Sequence, residues 1–225
     1  MEVTAIPGTL CAPSVFRRLA ERLAGEVELD AISWLTEPGP WDIPTVAGRI
    51  AARISEPGVL LGHSTGGAIA MQLALDHPDL VTGLVLVNTG AHMRGHGDAE
   101  RIIARMVTDW GPALHAAVLD RSFATPLDPA DRAELLAYAS SIPLDAALGV
   151  LRSQRDLDLT PRLAQLRCPV TIVHGVLDQA RTVEQAHELG ADIPGARLRL
   201  VDTGHTPVYE APDAVAEEIL ALVTS

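Results

Sequence analysis

The sequence predicts an α/β fold in which a mostly parallel sheet of about six strands is covered by helices on both faces, three layers in all. Two observations lead there. Short apolar runs such as Gly58-Val59-Leu60-Leu61 and Leu84-Val85-Leu86-Val87 alternate with segments whose apolar residues recur at helical spacing, and such alternation builds parallel sheets with crossover helices. Between about residues 91 and 160 the alternation stops and only helical patterns remain. The expected organisation is one core formed by residues 1–90 and 161–225, with 91–160 a helical cap insertion.

In chain order, Val3-Thr4-Ala5-Ile6 reads as a strand that exits through the turn signal Pro7-Gly8-Thr9-Leu10. Val15, Phe16, Leu19, Ala20 and Leu23 give a helix stopped by Gly25, and residues 28–33 give a second strand. The Pro- and Gly-rich stretch from Glu37 to Pro44 reads as a loop, after which Thr45 is expected to cap a helix with Val46, Ile50 and Ile54 on its apolar face. Strands at 58–61 and 84–87 flank a helix over 67–74 that ends at Asp76-His77-Pro78-Asp79. Beyond the insertion, strands at 169–173 and 198–201 alternate with helices at 183–189 and from Pro212 to Val223.

The 29 acidic and 17 basic residues give a net charge of −12 spread along the chain. Nucleic acid and anionic membrane demand clustered cations, so neither is an expected partner. The start, Met1-Glu2-Val3-Thr4, lacks the basic and apolar stretches of a secretory signal, and a cytoplasmic location is expected. Cys11 and Cys168, without metal-type spacing, read as reduced and partly buried.

Gly62-His63-Ser64-Thr65-Gly66 places a serine where a buried strand turns sharply into a helix, with glycines on both sides to permit the close approach such a turn requires. A serine hydroxyl needs a base in hydrogen-bond reach, oriented in turn by a buried acceptor. Functional groups of a parallel sheet gather at the carboxyl ends of its strands. His205, just past the last strand, fits the base; His174, immediately before Gly175, reads as a structural ring tucked into a turn. Asp178 fits the acid best, with Asn88 and Asp202 as rivals. Asn88 lacks the charge to support an imidazolium, and Asp202 also reads as a turn residue bonding its own backbone.

These motifs resemble those of the α/β-hydrolase superfamily, in its single-domain form with a helical cap: esterases, thioesterases, C–C hydrolases and lactonases. Pro7-Gly8-Thr9 is similar to the family's first oxyanion turn, Gly62 to Gly67 to its nucleophile elbow, His174-Gly175-x-x-Asp178 to its acid loop, and Gly204-His205 with Glu210-x-Pro212-Asp213 to its histidine loop and last helix. The resemblance implies an oxyanion hole made by the backbone N–H groups of Thr9 and Thr65. Two departures stand out: Pro7 occupies the place of a customary histidine, and Ser33-Trp34-Leu35-Thr36-Glu37-Pro38 replaces the usual glycine-rich turn after the second strand.

The resulting expectation is a serine hydrolase that cleaves a small ester or thioester through an acyl-enzyme, with Ser64, His205 and Asp178 as its triad and neither metal nor organic cofactor required. A lyase, cyclase or acyltransferase on a natural-product intermediate would use the same groups, and a non-catalytic receptor would not need all three. Three further features carry other expectations. His92-x-x-x-His96-x-Asp98 has metal-like spacing but reads as a polar hinge, His63 reads as a packing residue behind the site, and Trp110, Met93, Met106 and Leu114 are candidates for an apolar pocket.

Overall fold

A computed structural model describes residues 2–95 and 98–224. Six strands form a single sheet among these residues: β1 (Glu2–Ile6), β2 (Glu28–Ala31), β3 (Gly58–His63), β4 (Val81–Val87), β5 (Val170–Gly175) and β6 (Arg197–Val201). Their order is β2-β1-β3-β4-β5-β6 and every pairing is parallel. The helices are α1 (Arg17–Leu23), α2 (Ile43–Ala51), α3 (Thr65–Asp76), α4 (Ala99–Asp109), α5 (Pro112–Arg121), α6 (Pro129–Ser141), α7 (Leu144–Asp156), α8 (Val183–Asp192), α9 (Pro207–Glu210) and α10 (Pro212–Val223).

Strand side chains alternate between two hydrophobic clusters, as the period of two requires. Leu60, Leu84, Leu86, Val170 and Ile172 face Ile43, Ile50, Ile69 and Leu189 of α2, α3 and α8. Val3, Ala5, Val59, Leu61, Val85 and Val87 face Leu19, Leu23, Val215 and Ile219 of α1 and α10. Each central strand is thus buried on both sides, which explains why β3 reads as a continuous apolar run. The four helices α4 to α7 lie between β4 and β5 in the chain and join both clusters: Ala146, Ala147 and Val150 one, Leu119 and Leu135 the other.

Several element limits differ from the sequence expectation for physical reasons. Helix α2 starts at Ile43, with Asp42 as its cap; the Asp42 carboxylate accepts from the Thr45 N–H at 3.0 Å, so Thr45 sits inside the first turn and Ile54 lies beyond the end. Proline is tolerated in that first turn because its missing N–H would have no intrahelical acceptor there. Strand β2 ends at Ala31, because Ile32, Trp34 and Leu35 all turn into the core instead of alternating. The Trp34 indole N–H donates to the Pro7 carbonyl at 3.0 Å, tying this atypical turn to the end of β1. Helix α3 begins at Thr65, immediately after the serine. The short helix α9 is too brief to leave a periodic signal. Among the described residues no single helix is long and apolar enough to cross a membrane; α6 and α7, which reach that length only together, meet at 87°.

The end of β1 and the β3–α3 turn approach each other very closely. A Cβ on Gly66 would stand 2.0 Å from the Ile6 carbonyl oxygen and 2.8 Å from that of Pro7, both backbone atoms that cannot step aside. Gly66→Ala is therefore expected to destabilise the protein by about 3 kcal/mol or more, which chemical denaturation of the purified variant measures.

Candidate active site

Every residue assigned to the site from the sequence lies at the carboxyl end of the sheet. Ser64 follows β3 directly and has φ 54° and ψ −122°, a strained conformation for a side-chain-bearing residue. The Ser64 N–H donates to the Val87 carbonyl at 2.9 Å, and its own carbonyl accepts from the Thr89 hydroxyl at 2.6 Å. The strained residue is thus gripped from β4 and the turn after it. Gly8 completes the enclosure: a Cβ there would meet the Ser64 Cβ at 2.8 Å, so only glycine lets the β1 turn come this close.

His205 lies in the loop between β6 and α9, and its Nε2 is 2.9 Å from Ser64 Oγ. Its Nδ1 is 2.7 Å from Asp178 Oδ2. A carboxylate only accepts, so Nδ1 carries the proton, which leaves Nε2 free to accept from the serine hydroxyl. The Asp178 side chain is fully buried. Burial alone would raise its pKa, but hydrogen bonds and charge from His205, together with donors from Asn88 and the Ala180 N–H, outweigh that and hold it well below the usual carboxylate range.

Asn88, a rival to Asp178 in the sequence, instead supports it. Its Nδ2 donates to Asp178 Oδ2 at 2.7 Å while its Oδ1 accepts from the Gly175 N–H at 3.1 Å. The amide therefore ties the Asp178 loop to the end of β4. Asp202 is exposed, and the His205 ring nitrogens are engaged by Asp178 and Ser64 instead. Glu210 also acts here: one carboxylate oxygen accepts from the Gly204 N–H at 2.9 Å and the other from the Ala124 N–H at 2.8 Å, which clamps the His205 loop to the segment after α5.

The Thr9 and Thr65 N–H groups donate to no protein acceptor among the described residues. Their side chains are joined, Oγ1 to Oγ1, at 2.9 Å. Thr65 donates its single hydroxyl proton to Gln154 Oε1 of α7 at 3.1 Å, so Thr9 must be the donor to Thr65. This directed chain joins the side chains of the two residues that carry these amides and links them to α7. Gln154 gave no sequence signal, because a lone glutamine in a helical pattern is indistinguishable from a surface residue.

Ser64, Thr65, Thr9, His205 and Asp178 border a cavity of about 500 Å³. Met93 and Met106 line it as expected, with Ile102, Val118 and Leu151. Trp110 and Leu114 do not border it: Trp110 packs edge-on to the His115 ring at 4.6 Å, and Leu114 is buried in the core. No group of three His, Cys, Asp or Glu side chains is gathered for a metal among the described residues. Of the metal-like trio, His96 lies outside those residues, the Asp98 carboxylate caps α4 through the Arg101 N–H, and His92 Nδ1 accepts from the Arg94 N–H. Cys11 and Cys168 are free thiols.

Residues 5–218 match the alpha/beta hydrolase family, and the chain belongs to it. It is 31% identical over 242 aligned positions to a stretch of the polyketide synthase ThaQ of Burkholderia thailandensis, covering 98% of this chain but 12% of that much longer protein. It is 25% identical to the pimeloyl-[acyl-carrier protein] methyl ester esterase of Aliivibrio salmonicida, over 92% of this chain and 85% of the relative. An esterase from Exiguobacterium antarcticum shares the fold with a TM-score of 0.89 at 21% identity, over 100% of this chain and 92% of that one.

His63 packs behind His205, ring centroids 5.3 Å apart, and its Nε2–H donates to the His205 carbonyl at 2.9 Å. Burial, aided by His205, lowers its pKa to about 3. A histidine that protonates less readily when folded favours the folded state above its unfolded pKa of about 6.5, and that contribution is lost as pH falls from there toward 3. Burial lowers His174 and His115 in the same direction. Stability should therefore decline on acidification below about pH 6.5, and His63→Gln should flatten that decline, as read from the pH dependence of the melting temperature.

Proposed function

We propose that the protein is a serine-dependent hydrolase that cleaves an acyl ester or thioester through a covalent acyl-enzyme. The single observation that carries this reading is the continuous chain from Ser64 Oγ through His205 to a buried carboxylate, facing a cavity beside two unpartnered amides. Likeness to an esterase of an acyl-carrier-protein-bound ester and to a stretch of a polyketide synthase supports an acyl substrate.

In this mechanism Ser64 Oγ attacks the substrate carbonyl carbon and its proton passes to His205 Nε2. The Asp178 carboxylate stabilises the imidazolium so formed, and Asn88 keeps that carboxylate aimed. The N–H groups of Thr9 and Thr65 stabilise the tetrahedral oxyanion, each worth about 3 kcal/mol at the transition state. Collapse breaks the bond to the leaving alcohol or thiol, which takes the proton back from Nε2. A water, deprotonated by His205, then attacks the Ser64 ester and releases the acid. Helices α4 to α7 act as a cap that excludes bulk water from these steps.

Ser64→Ala is expected to abolish both ester turnover and covalent labelling by an alkyl fluorophosphonate; labelling that persists in the variant would sink the assignment. Turnover in ¹⁸O-labelled water should place one solvent oxygen in the released acid, whereas a lyase or acyltransferase would incorporate none. Asn88→Ala should leave labelling possible but lower kcat by about tenfold, since it removes one charge-assisted hydrogen bond to the acid; steady-state kinetics on an activated ester measures this.

A further inference from the structure

All seventeen basic residues are arginines. Twelve of them face a carboxylate within 4.0 Å, and Arg49 donates to the carbonyls of Pro38 and Pro40. Among the described residues the remaining four, Arg101, Arg121, Arg152 and Arg181, have no carboxylate partner. Three of these four, Arg101, Arg121 and Arg181, line the cavity over Ser64. Arg181 also lines a neighbouring cavity with Gly90 and His92, its guanidinium packed against Gly90.

The carboxylates lining the cavity over Ser64 form no ion pair with these three arginines among the described residues. Asp98 is turned to the Arg101 backbone N–H, and Asp178 is held by His205, Asn88 and the Ala180 N–H. Arg181 is the most constrained of the three cations. It is 4% exposed, yet among the described residues only one of its five N–H donors finds an acceptor, the His92 carbonyl at 3.1 Å. Burial lowers its pKa to about 10, with Asp178 opposing the shift, so it stays cationic at neutral pH. A desolvated guanidinium with spare donors is costly to maintain and matches an oxyanion that accepts two parallel hydrogen bonds.

We propose that the cavity takes an acyl ester or thioester bearing a second, anionic group, a carboxylate or a phosphate, and that Arg181, Arg101 and Arg121 bind that group. The proposal rests on the reading of Ser64 as nucleophile. The overall negative charge does not oppose it, because surface acids more than about 8 Å away are screened at physiological ionic strength. Inside the cavity the apolar wall of Ile102, Met106 and Val118 lowers the local dielectric and strengthens the pairing. A carboxylate would sit on the acyl chain; a phosphate would enter with the leaving group, as in a phosphorylated thiol.

Two substrate pairs separate these sources. The p-nitrophenyl monoester of glutaric acid is compared with p-nitrophenyl pentanoate, and butyryl-4′-phosphopantetheine with butyryl-pantetheine. One pair should show kcat/KM higher for the anionic member by about tenfold or more at low salt, and the ratio should narrow in 1 M NaCl. In Arg181→Met, and separately in the double variant Arg101→Gln/Arg121→Gln, that ratio should fall toward one. The double variant alters exposed helical positions and keeps the test alive if Arg181→Met does not fold. Ratios near one for both pairs in the unaltered protein, or a preference that survives in both variants, would overturn the inference while the hydrolase reading stands. Equal losses on both members of a pair in Arg181→Met would make that arginine only a support for Asp178 and remove it from the proposal. Absence of any turnover and of Ser64 labelling would instead remove the hydrolase reading and this inference together.

Discussion

The site depends on one constraint, the backbone strain at Ser64. A residue at φ 54° and ψ −122° stays there only if its surroundings leave no alternative, and here they do so from three sides. The end of β1 presses on Gly66, Gly8 abuts the serine side chain, and Thr89 holds the Ser64 carbonyl from β4. The hydroxyl is thereby lifted off the sheet toward His205 instead of being folded into the first turn of α3. The cost is borne by the parallel sheet itself, whose central strands are buried on both faces and cannot shift in register without turning apolar side chains to the wrong side.

Support for the acid is distributed in the same way. Asp178 belongs to the loop after β5, but Asn88 after β4 holds it, and His205 arrives from beyond β6. Three adjacent strands contribute one group each, so the alignment of the hydrogen-bond chain is inherited from the pairing of β4 with β5 and β5 with β6. Glu210 extends this to the segment after α5 by bonding both the His205 loop and Ala124.

Much of this was legible in the sequence because the relevant signals are local. Glycines around a serine, a strand followed by His174-Gly175-x-x-Asp178, and a histidine past the last strand each leave a pattern within a few residues, and the strands announce themselves as short apolar runs. What escaped were contacts made across long stretches of chain by residues of ordinary type. Gln154 reaches Thr65 from 89 positions away, and Arg181 is one arginine among many until its missing partner is seen. Asn88 stands out in the sequence only as a rival for the place of the acid, and that its amide serves Asp178 instead is seen only in the 2.7 Å contact. The boundary of α2 was misplaced for a simpler reason: Asp42 and Thr45 are both good caps, and the two prolines between Gly39 and Ile43 and at position 44 hid which of them is used.

The four helices between β4 and β5 contribute side chains to both hydrophobic clusters, and this bears on how molecules reach Ser64. Swinging them away as a unit would uncover apolar surface on both sides of the sheet. Exposing even about 200 Å² costs about 5 kcal/mol and leaves roughly one molecule in several thousand open at any moment. Arg101 and Arg121 line the cavity and are also exposed, so it reaches the surface beside them, and traffic past such rim side chains, helped by their rotamer changes on the picosecond-to-nanosecond scale, needs no such excursion. The entrance then behaves as a sieve of fixed mesh more than as a door, and exchange of a few side chains around its rim is enough to change what passes.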